Sequence, residues 1–415
     1  LAVFICARGD LGDDIQNYLY HNNGDGTFTI VNDLVGIDNN HHFSFCSAFF
    51  DYNNDGWQDL YIANDKLDTQ NLLYKNNGDG TFTEVGEETG TNLSMDAMST
   101  TIGDYNNDTW LDIYITNTVA GNIFLKNNGD GTFSNIAENN GTLFESAAWG
   151  AVFLDAENDT DLDLYVSGAL DGTTSFLPSA FYENDGIGNY TIPSSAGFEN
   201  DTAQSFSNAI GDINNDGYPD IAVLNYEPDN IFLWKNITNQ NNNWLKVKLE
   251  GIDSNRQGIG SLIEISINGN KQYNYTLCGE GFLGQNSAYE FFGLGAANSI
   301  DYIKVSWLSG QVDVIQTPPI NSHITIIEGG ELGINENQDK NLLVYPNPGK
   351  KFHIKINNFS EKMVLHLTDV TGKVLLNRSQ QSSEMSLDLS DFDSGVYFLN
   401  IFNQSQILTK KLIIN

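Results

Sequence analysis

The chain has 415 residues and a formal net charge of −35, from 54 acidic and 19 basic residues. That balance argues against nucleic acid as a partner, because phosphates would be repelled. A hydrophobic content of 40% and an aromatic content of 12% exclude a disordered chain, and no run reaches the ~20 apolar residues of a membrane helix.

The acidity is uneven. Residues 1–242 hold 37 Asp and Glu against 5 Lys and Arg, a net −32; residues 243–415 hold 17 against 14, a net −3. The three cysteines, Cys6, Cys46 and Cys278, are far apart and suggest no disulfide framework or metal cluster. They read as small buried apolar residues.

Leu1-Ala-Val-Phe-Ile5 and Tyr18-Leu-Tyr20 read as strands. They are followed by Asn22-Asn-Gly-Asp-Gly-Thr-Phe28, a hairpin turn signal that recurs at Asn76–Phe82 and Asn127–Phe133. Degenerate copies stand at Asn184–Tyr190 and near Lys235–Thr238. Phe28, Phe82 and Phe133 are expected to pack between blades.

The second recurring unit is Asp51-Tyr-Asn-Asn-Asp-Gly-Trp-Gln-Asp59, set between apolar runs. It returns as Asp104-Tyr-Asn-Asn-Asp-Thr-Trp-Leu-Asp112, Asp155-Ala-Glu-Asn-Asp-Thr-Asp-Leu-Asp163 and Asp212-Ile-Asn-Asn-Asp-Gly-Tyr-Pro-Asp220, with starts 53, 51 and 57 residues apart. An EF-hand is excluded, because its twelfth position is a bidentate Glu and its flanks are helices. Here the twelfth position is Ile62 and the flanks read as strands.

Oxygen-bearing side chains at the first, third, fifth and ninth positions suit a hard cation taking six to eight oxygens, and calcium is the natural occupant. The candidate ligand set, with the seventh position included, runs in four groups. Loop one offers Asp51, Asn53, Asp55, Trp57 and Asp59, and loop two Asp104, Asn106, Asp108, Trp110 and Asp112. Loop three offers Asp155, Glu157, Asp159, Asp161 and Asp163, and loop four Asp212, Asn214, Asp216, Tyr218 and Asp220. The plain alternative is a polar turn held by Asx hydrogen bonds; fourfold recurrence favours about four Ca2+ sites with an architectural role. Thr109 and Thr160 replace the turn glycine, and a β-branched residue at φ > 0 is strained. Those loops are expected to adjust or to bind more weakly, leaving loops one and four the surest sites.

Strand, metal loop, strand, hairpin and strand in roughly 50 residues make one propeller blade. The fold class is all-β: a β-propeller of about four and a half blades over 1–242, a small β domain over 243–327, a linker over 328–341 and an Ig-like β-sandwich over 342–415. The half-blade at the start, with no Met and no leader, leads us to expect an upstream portion.

Near residue 243 the acidic loops stop. Trp244-Leu-Lys-Val-Lys-Leu249, Leu262–Ile267 and Ile303–Trp307 alternate as half-buried strands. Arg256, in Ser-Asn-Arg-Gln-Gly-Ile-Gly260, reads as a loop-fixing salt bridge or an anion contact. His41 and His42 read as structural, and no catalytic triad or phosphate loop stands out.

Three resemblances cover nearly the whole chain. Residues 1–242 resemble FG-GAP/VCBS-type repeats, on DYNNDGWQDLYIAN and LYKNNGDGTFTEV. Residues 243–315 resemble the ASPIC/UnbV domain, on Asn243-Trp-Leu, Gly258-Ile-Gly260, Gly279-Glu-Gly-Phe282 and Phe292-Gly-Leu-Gly295. The two together resemble the cartilage-acidic-protein family. Residues 342–415 resemble the type A sorting domain of type IX secretion, on Tyr345-Pro-Asn-Pro348 and Ser394-Gly-Val-Tyr-Phe398. The last resemblance implies handling by the type IX machinery and an extracellular or outer-membrane-surface address. The expected function is calcium-dependent adhesion to a glycan or surface protein, without enzymatic activity. An extracellular polysaccharide lyase or hydrolase, and a purely structural surface element, stay open as alternatives.

Overall fold

The computed structural model describes residues 2–8, 16–168, 177–194, 196–198, 201–238, 241–279, 281–330, 342–356, 363–369, 373–380, 382–402 and 407–414. Most of the expected linker, 331–341, lies outside them. The chain divides into two compact units, 1–333 and 334–415.

The first unit begins with five small antiparallel meanders. The first is β1 (Ala2–Ile5), β2 (Tyr18–Asn22) and β3 (Phe28–Ile30). Three complete four-stranded blades follow. They are β4 (Ser44–Phe50), β5 (Asp59–Asn64), β6 (Leu72–Asn76) and β7 (Phe82–Glu84); β8 (Thr100–Gly103), β9 (Asp112–Ile115), β10 (Ile123–Asn127) and β11 (Phe133–Asn135); and β12 (Ala148–Leu154), β13 (Asp163–Gly168), β14 (Ser179–Asn184) and β15 (Tyr190–Thr191). The fifth has three strands, β16 (Ser205–Gly211), β17 (Asp220–Asn225) and β18 (Phe232–Trp234). Among the described residues the first and last sheets therefore have three strands each, against four in the blades between them.

Local chemistry explains each meander. The NGDGT turns close on themselves: in the second blade the Thr81 amide and hydroxyl both donate to Asp79 Oδ1, and Gly78 N donates to Asn76 Oδ1 at 3.0 Å. One-turn helices that the sequence reading missed, α1 (Asn32–Val35), α2 (Gly86–Thr89) and α3 (Ala137–Asn140), lead from one blade to the next. The blades bury large aromatics whose polar ends are satisfied. Tyr61 and Tyr114 are fully buried, and their hydroxyls accept from Asn71 and Asn122 at 3.0 Å. Phe82 and Phe133 pack between blades as expected, Phe133 with its ring centroid 6.2 Å from that of Tyr52. Phe28 does not: it is exposed. Cys46 is buried, but Cys278 is exposed, which corrects the reading of that cysteine.

The β domain that follows has two sheets on one core. In the first, β19 (Asn243–Glu250) lies between β22 (Glu290–Gly295), antiparallel to it, and β25 (Ser322–Ile327), parallel to it. The second runs β21 (Asn270–Tyr275), β20 (Leu262–Ile267), β23 (Tyr302–Ser306), β24 (Val312–Gln316). Leu245, Val247, Ile263, Ile265, Ile303 and Val305 are buried between them, each contributing roughly 1.5–3 kcal/mol by leaving water.

The β domain also reaches into the propeller. The first strands β4, β8, β12 and β16 pack beside one another and so line the axis. Residues 277–279 and 281–287 run among them. Gly281 N donates to Thr100 O at 2.7 Å, Cys46 Sγ lies 3.1 Å from Gly281 O, and Ser287 N donates to Ile210 O at 2.9 Å. The Phe282 ring sits 4.8 Å from Trp149. One glycine-rich segment therefore ties the first strands of four successive blades.

The second unit is a two-sheet antiparallel sandwich. One sheet is β26 (Leu342–Tyr345), β27 (Lys351–Ile356) and β30 (Glu384–Asp388); the other is β29 (Val374–Gln380), β28 (Met363–Thr368), β31 (Gly395–Phe402) and β32 (Ile407–Ile414). Phe352, Ile354, Leu365, Leu367, Leu399 and Leu412 are its core.

Candidate metal centre: four loops beneath a β domain

Each acidic loop joins the first strand of a blade to the second, so the four loops share one end of the propeller. In each, the first Asp accepts from the backbone N–H of the fifth and sixth positions. Asp51 takes Asp55 at 3.1 Å and Gly56 at 2.7 Å; Asp104 takes Asp108 at 2.9 Å and Thr109 at 2.8 Å. Asp155 takes Asp159 and Thr160, both at 2.9 Å, and Asp212 takes Asp216 at 3.2 Å and Gly217 at 2.8 Å.

The ninth Asp closes the loop against the third strand. Asp59, Asp112, Asp163 and Asp220 accept from Asn76, Asn127, Asn184 and Asn236 N at 2.7, 2.8, 2.9 and 2.7 Å. Between these ends, Asn53, Asn106 and Asn214 donate to Asp55, Asp108 and Asp216. Glu157 instead turns to Asp163, and the two carboxyls are within hydrogen-bonding reach. The seventh residues face elsewhere: Trp57 and Trp110 lie over Gly78 and Gly129 of the hairpins, Asp161 lies near Gly186, and Tyr218 Oη donates to Asn242 O at 3.3 Å. Backbone donors thus satisfy much of each loop. Among the described residues no group of three or more His, Cys, Asp or Glu is arranged to hold a metal ion.

The threonine loops do not relax. Thr109 and Thr160 hold φ of 76° and 93°, beside 87° and 91° for Gly56 and Gly217. The sequence reading also passed over the fourth position, which is Asn in every copy. Asn54, Asn107, Asn158 and Asn215 all sit at φ between 55° and 58°. Each of the first three donates its amide to the sixth-position carbonyl of the next loop: Asn54 to Thr109 at 3.1 Å, Asn107 to Thr160 at 3.4 Å, Asn158 to Gly217 at 3.3 Å. The loops form a belt from blade to blade, and the invariance of that Asn within the chain was the available signal.

The β domain covers the belt. Tyr275 Oη donates to Asn54 Oδ1 at 3.4 Å and Gly295 N to Asn158 O at 2.8 Å. Gly293 passes so close to loop three that a Cβ there would lie 1.9 Å from Asp155 Oδ2.

Electrostatics separates the loops. In loops one to three the first and ninth carboxylates, Asp51, Asp59, Asp104, Asp112, Asp155 and Asp163, are buried. Among the described residues no basic side chain pairs with any of them. Burial pushes Asp59 and Asp104 up to about 7 and Asp112, Asp155 and Asp163 well above the carboxylate range, despite the backbone donors, and burial with the neighbouring carboxylates pushes Asp161 up to about 7. Loop four differs: Lys246 Nζ, from β19, lies 2.7 Å from Asp212 Oδ2. Loops one to three thus carry oxygen donors without a basic partner, the donor type a hard cation takes, although these donors are not gathered into a metal-holding group; in loop four the compensating charge is already present.

Arg256 corrects another expectation. Its side chain is exposed and makes no ion pair among the described residues. Glu328 fixes that loop instead, accepting from Ile252, Asp253 and Ser254 N at 2.7, 2.8 and 2.7 Å.

The blades, the belt and the β cover define an incomplete β-propeller protein. Family profiles give the particulars. The FG-GAP-like repeat matches residues 3–62, 51–115 and 104–166, ASPIC and UnbV matches 251–332, and the secretion system C-terminal sorting domain matches 343–415. The tail directs export by the type IX system to the cell surface or beyond. None of the three descriptions carries a catalytic activity. No helix among the described residues is long and apolar enough to cross a membrane.

Human cartilage acidic protein 1 is 28% identical over 187 residues, 42% of this chain and 27% of that protein, so the chain spans about a quarter of its length. Among solved structures, PorZ, a surface component of the type IX system of Porphyromonas gingivalis, is 12% identical, with 96% of this chain and 63% of that one covered at a TM-score of 0.29. The extracellular domain of a putative one-component system from B. thetaiotaomicron is 12% identical, with coverages of 97% and 67% and a TM-score of 0.26. Structural likeness at these scores carries no argument.

Proposed function

We propose that this protein is a secreted or cell-surface propeller whose first three acidic loops hold calcium as a structural staple, and whose opposite mouth binds an extracellular glycan. The observation that carries the calcium reading is the set of six buried carboxylates without a basic partner. Charges buried unpaired are costly, and a divalent cation bound there would neutralise them. Asp51, Asp55, Asp59 and Asn53, with their counterparts in loops two and three, are the residues that would hold it. Weak sites suffice outside cells, where Kd values of about 10⁻⁴–10⁻³ M are useful.

The glycan reading rests on the far ends of the same inner strands. Phe45, Trp149 and Phe206 begin β4, β12 and β16, and Phe282 joins them from the β domain. Trp149 stands 5.1 Å from Phe206 and 6.1 Å from Phe45, and Arg8 lies 4.5 Å over Phe45. These half-buried rings meet edge to face, Trp149 at 79° to Phe206 and at 80° to Phe45, and form an aromatic cluster beside exposed Tyr226 that can offer a ring face to the apolar side of a sugar. The loop carboxylates are spread around four blades rather than paired across one cleft, which disfavours a glycosidase.

Thermal melts of the full chain test the first part: chelation should lower Tm by on the order of 10 °C or more, since a site filled to 100 times its Kd contributes about 2.7 kcal/mol. An unchanged Tm sinks the calcium reading. A glycan array with the intact protein and Trp149→Ala tests the second. Binding lost in the variant at unaltered Tm supports it, whereas no glycan bound, or a surface protein captured instead, rejects it.

A further inference from the structure

Loops one and four are near copies in sequence, yet only the fourth has a cation built in. Lys246 and Asp212 are 4% and 2% exposed in their side chains, with the ammonium 2.7 Å from Oδ2. That oxygen also accepts from Gly217 N. The ammonium is boxed in by aromatic faces: Trp244 at 5.5 Å, Tyr289 at 5.6 Å and Phe291 at 6.0 Å to the ring centroids. Faces of this kind attract a desolvated cation.

The strand presents Lys246 on purpose-built geometry. Leu245, Val247 and Leu249 of β19 enter the β-domain core, so Lys246 points the other way, toward the propeller. Lys248, on the same side two residues on, is exposed, so the burial of Lys246 is specific to loop four. Trp244, two residues before, packs directly on Gly217: a Cβ at 217 would lie 2.0 Å from the indole. A lysine is almost never fully buried without a partner, and a second cation at Asp212 would meet it as a like charge.

We propose that Lys246 is the resident cation of loop four: its ammonium neutralises Asp212 in place of a metal ion, so this loop carries no calcium and instead locks the β domain onto the last blade. The inference uses the calcium reading only as a contrast with loops one to three, and its test is run where that reading has no influence.

Melts of the full chain in EDTA are compared for wild type, Asp212→Asn, Lys246→Met and the double variant. Each single change strands a buried charge and should lower Tm by on the order of 10 °C. The double variant should lose no more than either single one, and additive losses would overturn the pairing. Added calcium should then raise the Tm of Lys246→Met more than that of the double variant; an equal rise contradicts the claim that the ammonium occupies a cation position. Should either single variant fail to fold, amine acylation of the native wild type, read by mass spectrometry, decides the matter. Lys246 stays unlabelled in EDTA and in saturating calcium alike if it is the resident cation. Labelling that appears on adding calcium means the metal displaces it, and the proposal fails. Absence of any calcium effect on wild type would reject the reading of loops one to three while leaving the EDTA cycle to decide this one.

Discussion

Loops one and four share the pattern Asp-x-Asn-Asn-Asp-Gly-aromatic-x-Asp, and they alone of the four copies keep the turn glycine. Their surroundings are opposite. A Cβ on Gly56 would meet nothing within 4 Å, whereas one on Gly217 would run into Trp244 at 2.0 Å. Asp51 is buried without a basic partner, whereas Asp212 holds Lys246. The same nine residues therefore serve two purposes, and a strand 34 residues downstream of Asp212 decides which. The matched FG-GAP-like repeats end at residue 166, before loop four begins.

Substituting threonine, the residue loops two and three already use, separates the two glycines most sharply. Gly217→Thr displaces the Trp244 indole on top of the backbone strain and should cost about 2–5 kcal/mol, with partial undocking of the β domain. Gly56→Thr meets only backbone strain, on the order of 1–2 kcal/mol. Chemical denaturation of the two variants measures the difference, and equal costs would dissolve the contrast.

A weaker perturbation acts on the cover itself. Burial alone would raise the Glu328 carboxyl, but hydrogen bonds from Ser309, Ser254 and Ile252 outweigh it and hold it down at about 2. A folded pKa below the unfolded value gives stability that is fully present above about pH 4.5 and is lost as pH falls through about 2. Glu328→Ala should cost about 3 kcal/mol at neutral pH, as three backbone donors lose a shared acceptor at roughly 1 kcal/mol each. Glu328→Gln should flatten the acid limb of the stability curve between those limits. A variant with the wild-type acid slope would show that Glu328 does not hold the loop. The smallest effect lies in the belt. Asn54→Gly keeps the positive φ but removes the amide donated to Thr109 O, for a loss of about 1 kcal/mol. Asn215→Gly, at the end of the belt, should cost only a few tenths of that unit.

Much of the fold could be read directly. Alternating apolar runs between NG and DG turns place strands well, because both signals are local. Trp244–Leu249 and Leu262–Ile267 fall inside β19 and β20 as expected. What stayed hidden depends on contacts between distant segments. Residues 277–279 and 281–287 look like an ordinary glycine-rich loop, and nothing local says that they enter the propeller axis. Lys246 sits in a regular alternating strand, where a lysine normally faces water. Glu328 reads as the first residue of a polar linker, although its carboxylate is used by amides some 75 residues upstream. In the loops, residue types showed which side chains are acidic but not that backbone amides already hold the first and ninth Asp. The fourth-position Asn is visible as a repeat, but its bond runs to the loop of the next blade, more than 50 residues away, and no local signal gives that partner.

Counting calcium ions on the intact folded chain by native mass spectrometry tests the central claim most directly. Three retained ions, with the count unchanged by Asp212→Asn, is the predicted result. Four ions, or none, would contradict it.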